Sequence, residues 1–238
     1  MAVPAPVQSM LAGHLAEVTW IPLPDRNGAI SDDAANIFLD NLGRTTVVLL
    51  GPGLGQNEST RQFIKHLLTD PTIKERALPL VLDADGLRMV AQFPNWPTLL
   101  PENTILTPHP GEMSALSGIP IDAIQQDRLS LARRFSQSWG HVLVLKGALT
   151  VVASPDGRAC IIPVATPALA HAGTGDVLAG MIAGLRAQKC SAFEAAWAGA
   201  YLHGQAGLLA NRMIGNPASV LAGDVISQIA GAINAVLE

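Results

Sequence analysis

Ala172-Gly173-Thr174-Gly175-Asp176-Val177-Leu178-Ala179-Gly180 runs two glycines straight into a stretch of small and apolar residues. Glycine lets the backbone turn tightly and approach a ligand closely, and the unpaired N–H groups at a helix start attract anions. The small and apolar spacing continues, predicting a helix over Asp176–Gln188. Asp176 then lies in the first turn, and two readings are open for it. It can act on a bound ligand, or it can merely cap the helix, where Asp is favoured and the helix dipole stabilises its charge.

Outward from that stretch, short apolar runs ended by Gly, Pro or Asp predict strands. They are Val18–Leu23, Thr46–Leu50, Leu78–Leu82, Thr104–Leu106, Val142–Leu145, Leu149–Ala153 and Ala159–Val164. Helical spacing falls at Asp32–Leu42 with Ser31 as N-cap, Ser59–Leu68, Asp122–Gln137, Ser191–Leu209 and Ser219–Leu237. Such alternation implies an α/β fold whose mostly parallel sheet is covered on both faces. Ser154-Pro155-Asp156-Gly157 reads as a hairpin turn and adds an antiparallel excursion. No linker or internal repeat divides the chain, so residues 1–238 are expected to form a single domain. Leu221-Ala222-Gly223-Asp224-Val225 echoes the opening stretch, but a Gly-Asp-Val helix start arises easily by chance.

Composition supports a large core. Hydrophobic residues make up 49% of the 238, charged residues 14%, and aromatics only 4%. A net charge of −4 without a basic run argues against nucleic-acid and membrane-surface binding, so any phosphate must be held locally by amides and a few cations. Cys160 and Cys190 stand alone, in neither a disulfide nor a zinc pattern. Met1–Val7 has no basic n-region and carries Pro4 and Pro6, unlike a signal peptide, and no apolar run nears the ~20 residues that cross a bilayer. A soluble, cytoplasmic protein is the expectation.

Four further strings sit at strand ends, where open α/β sheets bind ligands. Leu50-Gly51-Pro52-Gly53-Leu54-Gly55-Gln56 is neither a dinucleotide fingerprint nor a P-loop, and is either a ligand loop or a tight βα turn. In Leu82-Asp83-Ala84-Asp85-Gly86-Leu87, either carboxylate can hold a metal or a ligand hydroxyl, and one is expected to cap the helix beginning near Asp85. In Leu106-Thr107-Pro108-His109-Pro110-Gly111-Glu112, the prolines hold His109 in place as a ligand contact, while Glu112 caps the next helix or binds a water on Mg²⁺. Lys146, in Val144-Leu145-Lys146-Gly147-Ala148-Leu149-Thr150, is the only lysine between Lys74 and Lys189 and suits a phosphate.

Gly173-Thr174-Gly175-Asp176-Val177-Leu178-Ala179-Gly180 resembles the signature of the ribokinase-like superfamily. That likeness implies a three-layer αβα sandwich, glycine amides as an anion hole, and Asp176 as the base toward an attacking hydroxyl. Taken in order, and with Tyr201-Leu202-His203-Gly204-Gln205-Ala206-Gly207, the strings resemble the ADP/ATP-dependent NAD(P)H-hydrate dehydratase family over the whole chain. The resemblance implies dehydration of hydrated NADH or NADPH at the expense of ADP or ATP. The 6-hydroxyl is phosphorylated and phosphate leaves, a better leaving group than water. By position, Gly55, His109 and Asp176 would contact the hydrated cofactor. Lys146, Gly147, Ala148, Leu149, Thr150, Gly173, Thr174 and Gly175 would contact the nucleotide, with Mg²⁺ on its phosphates and its protein ligands unassigned.

Against the family pattern, Met1-Ala2-Val3-Pro4 resembles the end of a second strand. The opening strand, Gly-Ser-rich loop and helix are not in this sequence, nor is the epimerase domain often fused upstream. The expectation is therefore a truncated chain that self-associates and turns over poorly, with an NAD(P)H-hydrate epimerase as functional partner and a homo-oligomeric assembly. Two other functions share the strings: a small-molecule kinase on a vitamin precursor or sugar, and a non-catalytic adenine-nucleotide module.

Overall fold

The computed structural model describes residues 1–237. Ala2–Pro4 (β1) leads through Ala5–Leu11 (α1) to Ile21–Leu23 (β2), and the two strands pair in parallel. Asp25–Arg26 (β3) and Ala29–Ile30 (β4) form a small antiparallel ribbon before Ala34–Asp40 (α2). The main sheet begins at Val48–Leu50 (β5). After Glu58–Thr69 (α3) and Pro71–Glu75 (α4) come Leu80–Leu82 (β6), Ala84–Val90 (α5), Ile105–Leu106 (β7), Pro110–Ser117 (α6), Ile121–Gln126 (α7) and Arg128–Trp139 (α8). Val142–Leu145 (β8), Val151–Ala153 (β9) and Ala159–Ile161 (β10) complete it. Thr174–Ala187 (α9), Ala192–Ile214 (α10), Ala222–Ser227 (α11) and Ile229–Leu237 (α12) close the chain.

The six strands stand in the order β10-β9-β8-β7-β6-β5. Pairings from β5 to β8 are parallel, β9 pairs antiparallel with β8, and β10 pairs antiparallel with β9. Period-two alternation divides the core into layers. Leu82, Leu106, Leu143 and Leu145 face Phe63, Ile64, Met113 and Phe135 on the helices of one side. Val81, Ile105, Val142, Val144 and Val152 face Leu178, Ile182, Ala195 and Ala196 of α9 and α10 on the other. This is the expected αβα sandwich, and the strands β6 and β8 are buried along their whole length because both faces are covered.

The hairpin forms as read: the Gly157 amide donates to Ser154 O at 3.0 Å and the Ser154 amide to Arg158 O at 2.8 Å. Three helix expectations are corrected. α2 begins at Ala34 with Asp33 as N-cap, and the Ser31 hydroxyl is spent on the Asp33 carboxylate. The span Asp122–Gln137 is two helices, broken where Asp127 leaves helical geometry (φ −142°) and its carboxylate accepts the Ser130 amide at 3.2 Å. Ser219–Leu237 becomes helical only after extended Leu221 and divides at Gln228 (φ −96°, ψ 0°) into α11 and α12.

Candidate active site at the sheet's C-terminal edge

β5, β6, β7 and β8 all end at one edge of the sheet, bringing Gly51, Asp83, Thr107, His109 and Lys146 together. The close approach of the first two is possible only without a side chain at Gly51. Its φ is +134°, and a Cβ there would fall 1.7 Å from Asp83 O. Asp83 is 1% exposed. Its Oδ1 accepts from Thr107 Oγ1 at 2.7 Å and from Lys146 Nζ at 2.6 Å, while Oδ2 is buried with no hydrogen-bond partner among the described residues. The expected cap at Asp83 or Asp85 is not found. Asp85 instead reaches back to the glycine loop, accepting from the Gly55 amide at 2.9 Å and Gln56 Nε2 at 3.0 Å.

The two readings of Glu112 resolve toward the helix. Its Oε2 accepts from the His109 amide at 2.9 Å, and His109 Nδ1 accepts from the amides of Gly111 and Glu112 at 3.0 and 3.3 Å. His109 Nε2 lies 3.2 Å from Glu112 Oε1, so both ring nitrogens are engaged within the chain. Burial pushes the Glu112 carboxyl up, but hydrogen bonding from His109 and the charge of Lys146 outweigh it and leave it below the usual range. Lys146 Nζ stands 3.7 Å from Glu112 Oε2, so one ammonium serves two buried carboxylates.

The start of α9 closes the site. Gly173 takes a left-handed φ of +86°, Thr174 Oγ1 donates to Leu169 O and His171 O at 2.8 Å, and Lys146 Nζ lies 3.5 Å from where a Gly175 Cβ would project. Asp176 is exposed, and its carboxylate accepts no hydrogen bond among the described residues, so the capping reading fails. Its carboxyl is raised above the ordinary range by partial burial and by the charge of Asp83, with Lys146 opposing.

A cleft of about 770 Å³ opens beside this helix start, lined by His109, Lys146, Gly147, Thr150, Gly175 and, deeper, His203. Ala148 and Thr174 also face it. Gly55, Leu149, Gly173 and Asp176 are not on its walls: Gly55 is held by Asp85, Leu149 points outward at 49% exposure, and Asp176 stands among the charges of Asp83, Lys146, Asp85 and Glu112. Sequence reasoning missed three residues. Thr107 anchors Asp83. Arg128 Nη2 donates to Leu145 O at 2.8 Å and packs under Gly147, fixing the loop after β8. His203 is buried in the cleft wall with its pKa lowered to about 4 by desolvation, hence neutral at physiological pH.

The sheet order and this edge define a ribokinase-like α/β fold. A ribokinase-like superfamily protein from Enterococcus faecalis superposes with a TM-score of 0.77 at 24% identity, over 96% of this chain and 73% of that one. Residues 7–230 match the sequence model of the family described as NAD(P)H-hydrate dehydratase, and the chain belongs to that family. It is 43% identical over 226 residues to the bifunctional NAD(P)H-hydrate repair enzyme Nnr of Moorella thermoacetica, covering 94% of this chain and 42% of the relative. The chain thus spans about two-fifths of the length of that curated relative. The ADP/ATP-dependent NAD(P)H-hydrate dehydratase of Bacillus subtilis, co-crystallised with ATP/Mg²⁺, superposes with a TM-score of 0.77 at 30% identity, over 97% of this chain and 76% of that one.

Proposed function

We propose that this chain dehydrates hydrated NADH or NADPH at the expense of ADP or ATP, restoring the dihydronicotinamide. The observation that carries the reading is the state of Asp176: an uncapped carboxylate at a glycine-led helix start, beside Lys146 and the cleft. A base needs an accessible carboxylate, and the raised pKa of Asp176 makes it a better proton acceptor. Asp176 takes the proton of the 6-hydroxyl as its oxygen attacks the terminal phosphorus and the bond to the nucleotide breaks. The C6–O bond then breaks, phosphate departs with the electron pair, and loss of a C5 proton restores the ring double bond. The amides of Gly175 and Asp176, which make no hydrogen bonds among the described residues, face the charge gathering on the phosphoryl group.

Lys146 and the loop Gly147–Thr150 hold the nucleotide, with Gly173 and Thr174 shaping the helix start. His109, its nitrogens already engaged, presents its ring to the hydrated nicotinamide, and Gly55 bounds that side. Among the described residues no cluster of His, Cys, Asp or Glu could hold a metal alone. That fits Mg²⁺, which keeps its waters and binds through phosphates. The buried, unpartnered Asp83 Oδ2 is the carboxylate oxygen that would receive those waters, and the ion would neutralise phosphate charge.

One domain over residues 1–238 is supported by two main clusters packed on a shared sheet. An NAD(P)H-hydrate epimerase as partner is supported by the bifunctional relative and its greater length. Self-association is supported by exposed Met213, Leu221 and Ile226, and a reducing cytoplasmic setting by the unpaired Cys160 and Cys190. No described helix is long and apolar enough to cross a membrane.

The test is incubation of the chain with Mg²⁺, ADP or ATP, and hydrated NADH or NADPH. Return of dihydronicotinamide absorbance with release of phosphate is expected. A phosphorylated product that accumulates without absorbance would make the chain a small-molecule kinase instead.

A further inference from the structure

His109 lines two clefts. The second, about 430 Å³, lies on the far side of the imidazole from the nucleotide loop and is walled by Gln56, Arg88, Gln92 and Gly111. Arg88 carries the only permanent charge among its lining residues, and no carboxylate lines it. On α5 the guanidinium is half-exposed, donates no hydrogen bond among the described residues, and has a single long contact, 4.0 Å from Nε to Glu112 Oε1. Glu112 is already committed to His109 and Lys146. Asp85, the other nearby carboxylate, is committed to Gly55 and Gln56, which also fixes the Gln56 side chain at the cleft rim. The Arg88 fork is therefore free, in a recess that offers neutral amide donors and no competing anion. Such a site takes phosphate oxygens, which a guanidinium binds in a bidentate manner.

From this geometry we infer that the second cleft holds the phosphate-bearing arm of the hydrated dinucleotide substrate, with Arg88 as its anchoring cation. The inference rests on the dehydratase reading above. The phosphoryl donor fills the cleft at Lys146–Thr150 and Gly175, so a second phosphate-bearing molecule must leave the shared centre on the other side of His109. Shared chemistry covers two sources, the pyrophosphate common to both hydrates and the 2′-phosphate of the NADPH form.

Steady-state rates and equilibrium binding on the 238-residue chain, with Arg88→Ala and Arg88→Lys, test it. For Arg88→Ala, KM and Kd for the hydrated cofactor should rise about tenfold or more, the scale of one charge-assisted contact. KM for ADP or ATP and kcat should stay within about twofold, and Arg88→Lys should recover part of the loss. Equal losses for hydrated NADH and hydrated NADPH assign the pyrophosphate, and a loss confined to hydrated NADPH assigns the 2′-phosphate. Turnover by the parent chain with an unchanged KM in Arg88→Ala overturns this inference while the dehydratase reading stands. A parent that binds neither hydrate overturns both. A parent that binds hydrate without turnover, and loses that binding in Arg88→Ala, supports the cleft assignment alone.

Discussion

Two helix starts in this molecule carry the string Gly-Asp-Val, and their aspartates have opposite fates. Asp224, opening α11, turns its Oδ2 back onto the Leu221 amide at 2.8 Å. Asp176, opening α9, accepts nothing. The residue in front decides. Leu221 is extended (φ −101°, ψ 164°), the conformation of an ordinary N-cap, so its amide lies where a third-position carboxylate can close on it. Gly173 is left-handed (φ +86°, ψ −19°), which turns its amide away from that closure. The neighbourhood differs too. Asp176 stands among the charges of Asp83, Lys146, Asp85 and Glu112, whereas Asp224 makes no ion pair among the described residues. A local string therefore does not tell a cap from a base, and the preceding φ angle does.

The largest effect that tests the contrast is catalytic. Asp176→Asn should lower kcat by about 10²–10⁴-fold, the usual contribution of a positioned general base, with nucleotide affinity nearly unchanged. Asp224→Asn should leave kcat within about twofold. Steady-state rates with hydrated NADH decide, and more than about a tenth of the parental rate in Asp176→Asn would remove Asp176 from the base role.

Next in size is the glycine that sets the difference. Gly173→Ala forces an L-residue into a left-handed conformation, costing about 1–2 kcal/mol, and its Cβ would come 3.2 Å from that of Ala222, where the two helix starts touch. Gly223 meets nothing within 4 Å and has ordinary helical φ, so Gly223→Ala should stabilise by roughly 0.5–1 kcal/mol. Urea midpoints measured at constant slope would show the opposite signs. Equal signs would mean that the left-handed turn at Gly173 does not set α9 apart.

The sandwich itself was legible because β6 and β8 are uninterrupted apolar runs, and a strand buried on both faces leaves that trace in any sequence. Legibility stopped where geometry depends on partners distant in the chain. Nothing near Asp83 announces Lys146, 63 residues on, and nothing near Asp85 announces Gly55, 30 residues back, so local rules favoured a cap that neither provides. Lys146 was located correctly as a cation at a strand end, but its grip on Asp83 comes from the order of the strands. His109 was fixed as expected, through its own helix cap rather than by the prolines alone. Arg88 gave no signal, since an arginine in the last turn of a short helix is ordinary until the cleft around it is seen.

A smaller effect separates the two carboxylates by stability alone. Asp224→Ala removes the closure on Leu221 and should cost about 0.5–1 kcal/mol, as loss of a helix-start hydrogen bond does, with activity unchanged. Thermal unfolding beside a rate assay would check it, and a coupled loss of activity would show that α11 supports the site through the Gly173–Ala222 contact.

The smallest effect has the most diagnostic sign. The Asp176 carboxyl is raised in the folded protein, first by partial burial and then by the charge of Asp83, so its ionised form is held less well folded than unfolded. Protonation relieves that strain. The group therefore favours the fold below the ordinary Asp value near 3.8, and this advantage is lost as pH rises through the folded value. At neutral pH the charge opposes folding, by an amount small for so exposed a group. Asp176→Asn should then melt slightly higher than the parent at pH 7, and the gap should close as the pH is taken below the ordinary Asp range. Asp224→Asn, which weakens the closure on the Leu221 amide, should instead melt lower at pH 7. Melting curves of both variants from neutral to acidic pH are the measurement. A lower melting temperature for Asp176→Asn at pH 7 would make Asp176 a stabilising helix cap after all, erasing the difference between the two starts. A higher one, together with the lost turnover, identifies a carboxylate kept at some cost to stability because the chemistry requires it.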